Sequence, residues 1–386
     1  MASIGNILTI AKGGAGIVRD GEKTVFVPGV IAGETVEYAI AGRLRSAWQG
    51  KLLRVVQASP QRVEPPCPHY GDCGGCNLQH MSYDEQLRSK AGILADNLRR
   101  IAGFEPASAP ATLASPPERY RSRSEFQVRN GTAGFFARES HRVIALSSCM
   151  LLPDTVQDFF LAQRPGLAAC EKAQLQVLSN GRELAAHLET AEGRGSWLSR
   201  ERSVRFDIPP FVYRYGPDHF VQANLFQLRP MLGLLEKTLA ETTTKVAADL
   251  FCGGGFFTLP LAARCREVLA VENDPANVAA LRANLALNQA GHVRVVQADA
   301  LRAELPAAGL YVVDPPRGGL SARLISALAA SGAATVVYFS CDSATFARDL
   351  RLFIRHGFVP GELALLDNFP QSDHFEIFSV LRKGAR

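Results

Sequence analysis

The chain has 386 residues, 47% of them hydrophobic and 20% charged, which at roughly 150 residues per domain suits two or three globular units and excludes a peptide, a small disulfide scaffold or a disordered chain. Its 42 Lys and Arg against 37 Asp and Glu leave a net charge of +5, a basic excess that permits nucleic-acid binding without requiring it. The first residues lack a basic, then apolar, leader, and no window reaches about 18 uninterrupted apolar residues, so a cytoplasmic chain without a membrane span is expected; in that reducing compartment its eight Cys read as metal ligands or catalytic groups before disulfides.

Residues 1–59 carry short apolar runs, Thr24-Val25-Phe26-Val27 and Thr35-Val36-Glu37-Tyr38 among them, separated by Gly pairs and by Asp20-Gly21. Strands closed by Gly turns predict a small β-barrel. A Pro-rich step from Pro60 to Pro68 marks a boundary, and Cys67-x5-Cys73-x2-Cys76 overlaps it, with Gly71, Gly74 and Gly75 letting backbone wrap a centre. Two metal readings are open: zinc, with His80 completing a Cys3His set, and iron–sulfur, which needs a fourth Cys such as Cys149. The spacing Leu87, Ile93-Leu94, Leu98, Ile101, with Asp84 and Glu85 ahead and Gly103 behind, predicts one amphipathic helix over 82–102. From Pro116 to Pro217 the pattern is mixed and mostly strand-like. There Arg119, Arg121 and Arg123 alternate, which on a strand puts them on one face beside Arg129, Tyr120 and Phe126; that face is either ordinary solvated surface or a phosphate-contacting one.

From about residue 245 the rhythm becomes strand, turn, helix, repeated, with strands at 246–251, 266–271, 293–296, 309–313 and 334–339. Such alternation predicts an α/β unit with a parallel sheet covered on both faces. The last two apolar runs, 362–366 and 375–381, are too close for a helical crossover and should pair antiparallel, an ending typical of class I methyltransferases with a Rossmann-like sheet. The tips of this sheet carry the chemistry. Asp249-Leu-Phe-Cys-Gly-Gly-Gly255 follows the first strand, where glycines admit a ligand to the backbone; Glu272 ends the second, placed for a ribose; Asp299 ends the third. The run lacks G-x-G-x-x-G, which favours S-adenosylmethionine over a nicotinamide cofactor. Asp314-Pro-Pro-Arg closes the fourth strand, Ser340-Cys341-Asp342 the fifth, and Glu376 lies in the final hairpin.

Together with Phe220-Val-Gln222-Ala-Asn224 and the run Asp367-Asn-Phe-Pro-Gln-Ser-Asp-His-Phe-Glu376, these motifs resemble the RNA 5-methyluridine methyltransferase family over nearly the whole chain. The resemblance implies Cys341 as nucleophile and Glu376 as base, with Gln222, Phe251, Glu272, Asp299 and Asp314 lining the S-adenosylmethionine and base pocket and Phe220 stacking on the target base. Asn224, Arg121 and Arg123 are carried as substrate contacts. It also implies a [4Fe-4S] cluster on Cys67, Cys73, Cys76 and Cys149, and a shortened TRAM-like, OB-like barrel over 1–59. The organisation expected is that barrel, a mixed α+β iron–sulfur and RNA-binding domain over 60–217 whose helix 82–102 packs on the catalytic unit, and the methyltransferase domain over 218–386. Presence of both barrel and cluster resembles the ribosomal-RNA branches (the 23S type) more than the transfer-RNA branch. A monomer acting on RNA, without a membrane partner, is expected. The sequence departs from the family at Asp342-Ser343, where Asn-Pro is usual, and at Phe256, where Asn is usual. Rival readings are a catalytically silent RNA-binding or assembly factor and an amino-methyltransferase using the Asp-Pro-Pro tip. Cys170, Cys252 and Cys265 are left as packing residues.

Overall fold

The computed structural model describes residues 2–193, 195–300, 302 and 305–384. Residues 2–57 form a five-stranded sheet in the order Ala2–Asn6, Thr35–Arg43, Trp48–Gln57, Lys23–Val27, Gly16–Asp20. Beyond the first strand the chain turns to pair with the last in that order: Leu8 N–H donates to Ile17 O and Ile17 N–H to Thr9 O, both at 2.9 Å. Alternate positions, Val25 and Val27, Val36 and Tyr38, point inward and are buried, the period of two that a one-sided sheet requires.

The helix Tyr83–Asn97 begins where expected, capped by Ser82 Oγ, which accepts the Glu85 N–H. It runs on through a wider turn, Leu98–Ala102, and stops at Gly103 in a left-handed conformation (φ 65°). Its Leu94 and Leu98 share one buried cluster with Val25 and Val36 of the N-terminal sheet and with Phe346 and Phe353 of the helix Ser343–Arg355.

Residues 123–197 build a six-stranded sheet, ordered Gly195–Trp197, Leu184–Thr190, Lys172–Ser179, Arg123–Arg129, Thr132–Phe136, Val143–Ala145. A helix, Asp154–Leu167, lies against it and stacks Phe160 on Phe126 at 4.1 Å between ring centres. That helix was not expected, because Pro165-Gly166 in its last turn disguises the spacing Val156, Phe160, Leu167. The proposed arginine face is not formed. The strand starts only at Arg123; Arg119 has φ 55° and pairs with Asp154, and Tyr120 between them is buried.

The remaining sheet has eight strands in the order Val293–Gln297, Glu267–Glu272, Val246–Leu250, Leu310–Val313, Thr335–Ser340, Glu376–Lys383, Phe358–Leu366, Ala111–Leu113. The first five run parallel, and the hairpin 358–383 enters antiparallel as predicted. Tyr311 and Val313 pack into one buried cluster while Leu310 and Val312 pack into another, so both faces are covered, as parallel sheets demand. The edge strand Ala111–Leu113 comes from the stretch expected to lie in the middle domain. Among the described residues no helix is long and apolar enough to cross a membrane.

Candidate active site and cysteine centre

At the carboxyl ends of the parallel strands opens a cleft of about 680 Å³, within the size range of small-molecule sites. Gln222, Phe251, Glu272, Asp299 and Asp314 all line it, as do Phe220, Cys341 and Glu376. The loop after Val246–Leu250 is shaped by backbone that side chains resist: Phe251 (φ 62°), Gly253 (φ 53°) and Gly255 (φ 93°) are left-handed, and a non-glycine residue held there is strain of the kind that clusters at functional sites. Glu272 ties this loop to its own strand end. One carboxylate oxygen accepts the Gly253 N–H at 2.9 Å, and the other accepts the Asn273 and Asp274 amides. A Cβ at Gly254 would meet the Tyr215 ring at 2.5 Å, so the close approach of this loop depends on glycine.

Three acids converge at the other end of the cleft. Burial pushes Asp314 up to about 7, partly offset by the hydrogen bond its carboxylate accepts from Gln222 Nε2 at 3.0 Å. Burial, then the charge of Asp314, hold the Glu376 carboxyl well above its ordinary value, and its Oε2 is buried without a hydrogen-bond partner among the described residues. Burial, reinforced by Glu376 and Asp314, pushes the Cys341 thiol up to about 12. Arg317 is the opposing charge, lowering both Cys341 and Glu376. Arg317 stands in the Asp314-Pro-Pro-Arg motif, whose pattern by itself assigns it no task; Phe369 and His374, in the motif that ends at Glu376, line the cleft as well. Asn277 does so too, and its Oδ1 accepts the Phe220 N–H at 2.9 Å, which fixes that half-exposed ring at the cleft rim.

A family model described as tRNA (uracil-5-)-methyltransferase matches residues 199–384. Over 418 aligned positions the chain is 34% identical to the 23S rRNA (uracil(1939)-C(5))-methyltransferase RlmD of Pseudomonas entomophila, covering 97% of this chain and 92% of that one. The chain belongs to the RNA uracil-C5 methyltransferase family. The RlmD of Halomonas elongata is 35% identical, with 96% of this chain and 88% of that one covered. Among solved structures, the Pyrococcus abyssi tRNA (uracil-54, C5)-methyltransferase in complex with S-adenosyl-L-homocysteine superimposes with a TM-score of 0.77 at 21% identity, covering 98% and 99% of the two chains. The fold is therefore that of the family, and neither the silent RNA-binding factor nor the amino-methyltransferase is favoured.

Within this uracil-C5 methyltransferase, three expected substrate contacts stand outside the cleft. Asn224 is fully buried, its amide donating to Ser115 Oγ at 2.9 Å and towards the Asp367 and Asn368 carbonyls, and its oxygen accepting the Phe226 N–H; it knits the motif to the rest of the fold. Arg123 Nε donates to the Pro217 carbonyl at 3.1 Å, and the Arg121 guanidinium lies over the Phe135 ring. The two family departures have local partners. Phe256 packs beside Tyr213 and Phe257, and the loop carbonyls are held by Asn284, which donates to Gly254 O, and Tyr213, which donates to Phe256 O. Asp342 caps the helix Ser343–Arg355 by accepting the Ala344 and Thr345 amides, and it forms an ion pair with Lys12 from the turn ahead of the strand Gly16–Asp20. Burial opposes the Asp342 charge, but Lys12 and Thr345 outweigh it and hold the carboxyl below the ordinary range.

Cys67, Cys73, Cys76 and Cys149 line a single small cavity together with Tyr70, Arg121 and Leu151. All four are free thiols. Burial, with lesser repulsion from its three neighbours, pushes Cys76 up to about 12, and burial raises Cys73 and Cys149 as well. Among the described residues no three His, Cys, Asp or Glu side chains are arranged to hold a metal ion. The zinc reading fails at His80, which is buried with both ring nitrogens engaged, one with the Tyr70 hydroxyl at 2.6 Å and the other with Val30 O at 3.1 Å. Cys252 and Cys265 are buried in the core and Cys170 packs at its edge, as expected.

Proposed function

We propose that the protein methylates C5 of one uridine in large-subunit ribosomal RNA, with Cys341 as nucleophile and Glu376 as base. The observation that carries this reading is the shared cleft: a thiol, an unpartnered buried carboxyl and a glycine-rich loop backed by Glu272 line one space. The glycine loop, Glu272 and Asp299 fit S-adenosylmethionine, since the adenosine hydroxyls need a carboxylate at the second strand tip and the methionine part needs open backbone at the first. When bound, S-adenosylmethionine supplies an electrophilic methyl group on a sulfonium sulfur.

Uracil C5 is a weak carbon nucleophile. Addition of Cys341 Sγ to C6 breaks the C5–C6 π bond and gives an enolate whose nucleophilic carbon is C5. Once C5 carries the methyl group it must lose its proton; the Glu376 carboxylate takes it, the C–H electron pair re-forms the C5–C6 double bond, and the C6–S bond breaks to return the Cys341 thiolate. A carboxylate with a raised pKa is the stronger base for that proton. Arg317 favours the thiolate and the carboxylate by opposing their charge, and Phe220, on the rim, is suited to stack on a base turned out of its helix.

Large-subunit RNA as substrate is supported by the names of the relatives above. A [4Fe-4S] centre on the four clustered thiols fits their donor set, four soft sulfur ligands around one cavity, with His80 engaged by Tyr70 and Val30 and the cavity-lining His69 engaged by Ser147. The five-stranded N-terminal sheet, whose ends pair through Leu8, Thr9 and Ile17, supports a TRAM-like barrel, and the organisation we propose is a monomer divided near residues 60 and 218, with Ala111–Leu113 of the middle part lent to the catalytic sheet. The test is incubation with 5-fluorouridine RNA and labelled S-adenosylmethionine: a covalent RNA–protein complex is expected, and Cys341→Ala should abolish it. Absence of both the adduct and C5 methylation would overturn the reading, and mapping 5-methyluridine in RNA from a deletion strain identifies the target.

A further inference from the structure

The helix Tyr83–Asn97 buries a lysine that the chemistry above does not use. Lys90 is fully enclosed, as is its partner Asp367. Its ammonium donates to Asp367 Oδ1 and, at 3.0 Å, to the Phe369 carbonyl. A desolvated ion pair of this kind contributes little net stability compared with an apolar pair of the same volume, so its presence here calls for another explanation.

The position supplies one. Leu366 and Glu376 are register partners in the final hairpin, and everything between them is an excursion from the sheet that brings Phe369 and His374 to the cleft. Its conformation is not a relaxed one, since Gln371 is left-handed (φ 70°). The helix holds it at successive points. Tyr83 OH donates to Asp367 Oδ2 at 2.9 Å, Lys90 takes Asp367 and Phe369, and Gln86 exchanges two hydrogen bonds with Gln371, at 3.0 and 2.8 Å. Among the described residues, Lys90 alone hydrogen-bonds both the first residue of the excursion and a residue that lines the cleft.

We propose that Lys90 is a positioning residue for the proton-removal step, holding the 367–375 excursion so that Glu376 meets the C5 proton of the methylated adduct. The proposal rests on the reading of Glu376 as the base. Cys341, carried by a different strand, is not reached through this excursion, so addition to C6 and removal of the C5 proton should separate in a Lys90 variant.

The experiment compares the parent enzyme, Lys90→Met and the double variant Lys90→Met/Asp367→Asn, which leaves no buried carboxylate unpaired. Each is given a 5-fluorouridine transcript, on which the C5 proton is replaced and reaction stops at the adduct, and the unmodified transcript of the same sequence. Expected for either variant is adduct formation on the fluorinated RNA within about threefold of the parent, turnover on unmodified RNA lower by roughly 10- to 100-fold, and a covalent complex on unmodified RNA that the parent does not accumulate. An equal fall in capture and turnover, or no change in either, overturns the proposal, as does a double variant too unstable to purify, since the pair would then serve the fold alone. A parent enzyme that captures no fluorinated RNA sinks the reading of the site instead.

Discussion

Ser340 and Ile377 are register partners across two antiparallel strands, so the next residues outward, Cys341 and Glu376, stand opposite one another at the end of the sheet. Two groups proposed to act on adjacent carbons of one ring are thereby set by strand pairing rather than by loop placement, which gives the site the precision of the sheet.

Glu376→Gln removes the proposed base while keeping the shape. Turnover should fall by about 10³-fold, and denaturing gels of the variant with unmodified RNA should show a persistent covalent band. A variant that turns over normally would remove Glu376 from the mechanism.

The thiol should respond to its neighbours in a fixed order. Cys341 is pushed up to about 12 by burial and by the charges of Glu376 and Asp314, and drawn down by Arg317. Alkylation of Cys341 by iodoacetamide, followed by mass spectrometry of its peptide, should therefore still be rising with pH at the alkaline end of the measurable range. Asp314→Asn deletes a negative neighbour and should shift the curve to lower pH; Arg317→Met deletes the positive one and should shift it to higher pH. The reverse order would show that these charges do not act on the thiol.

Asp249 sits beneath the glycine loop, fully buried, with one oxygen accepting from Thr258 Oγ1 at 2.6 Å and the other unpartnered. Burial lifts it from 3.8 to about 8. The folded state then holds a proton that the unfolded chain has released, so this residue's contribution to stability falls as pH rises across that interval. Urea unfolding at a series of pH values should show a slope of stability against pH more positive in Asp249→Asn by up to ~1.4 kcal/mol per pH unit; identical slopes would contradict the raised pKa.

Anaerobic reconstitution separates the metal readings. Cys149→Ser should lose iron and acid-labile sulfide together with the broad visible absorbance of the centre, whereas His80→Ala should keep them at a cost in stability of about 1–3 kcal/mol for the lost buried hydrogen bonds. Zinc in place of iron, lost on changing His80, would reverse the assignment.

Much of this was readable from the chain. The parallel strands announced themselves by apolar runs ending in acids or glycines, and Cys341, Glu376, Glu272 and Asp314 fell at strand tips where chemistry collects. What escaped was non-local. Lys90 reads as one more polar position on an amphipathic helix, because nothing nearby says that Asp367 waits for it. The three alternating Arg residues look like a strand face until Arg119 turns left-handed towards Asp154. Asn224 looked like a substrate contact from its motif, yet its partners, Ser115 and the carbonyls of Asp367 and Asn368, are scattered along the chain. Periodicity and motif report local preference, and these roles are set by contacts between residues far apart in sequence.

The edge strand Ala111–Leu113 pairs in parallel with Phe358–Leu366, which in turn pairs with the last strand of the chain. A ribosome releases residues 111–113 long before their partner exists, so this sheet reaches its final edge only after Phe358–Leu366 has been made. Pairings at such separation are slow to form, and until then the border of the hairpin is open to any other strand. Loss of the hairpin 358–383 would leave the early segment without the strand it pairs with, so this edge of the sheet is completed by the same hairpin that bears Glu376.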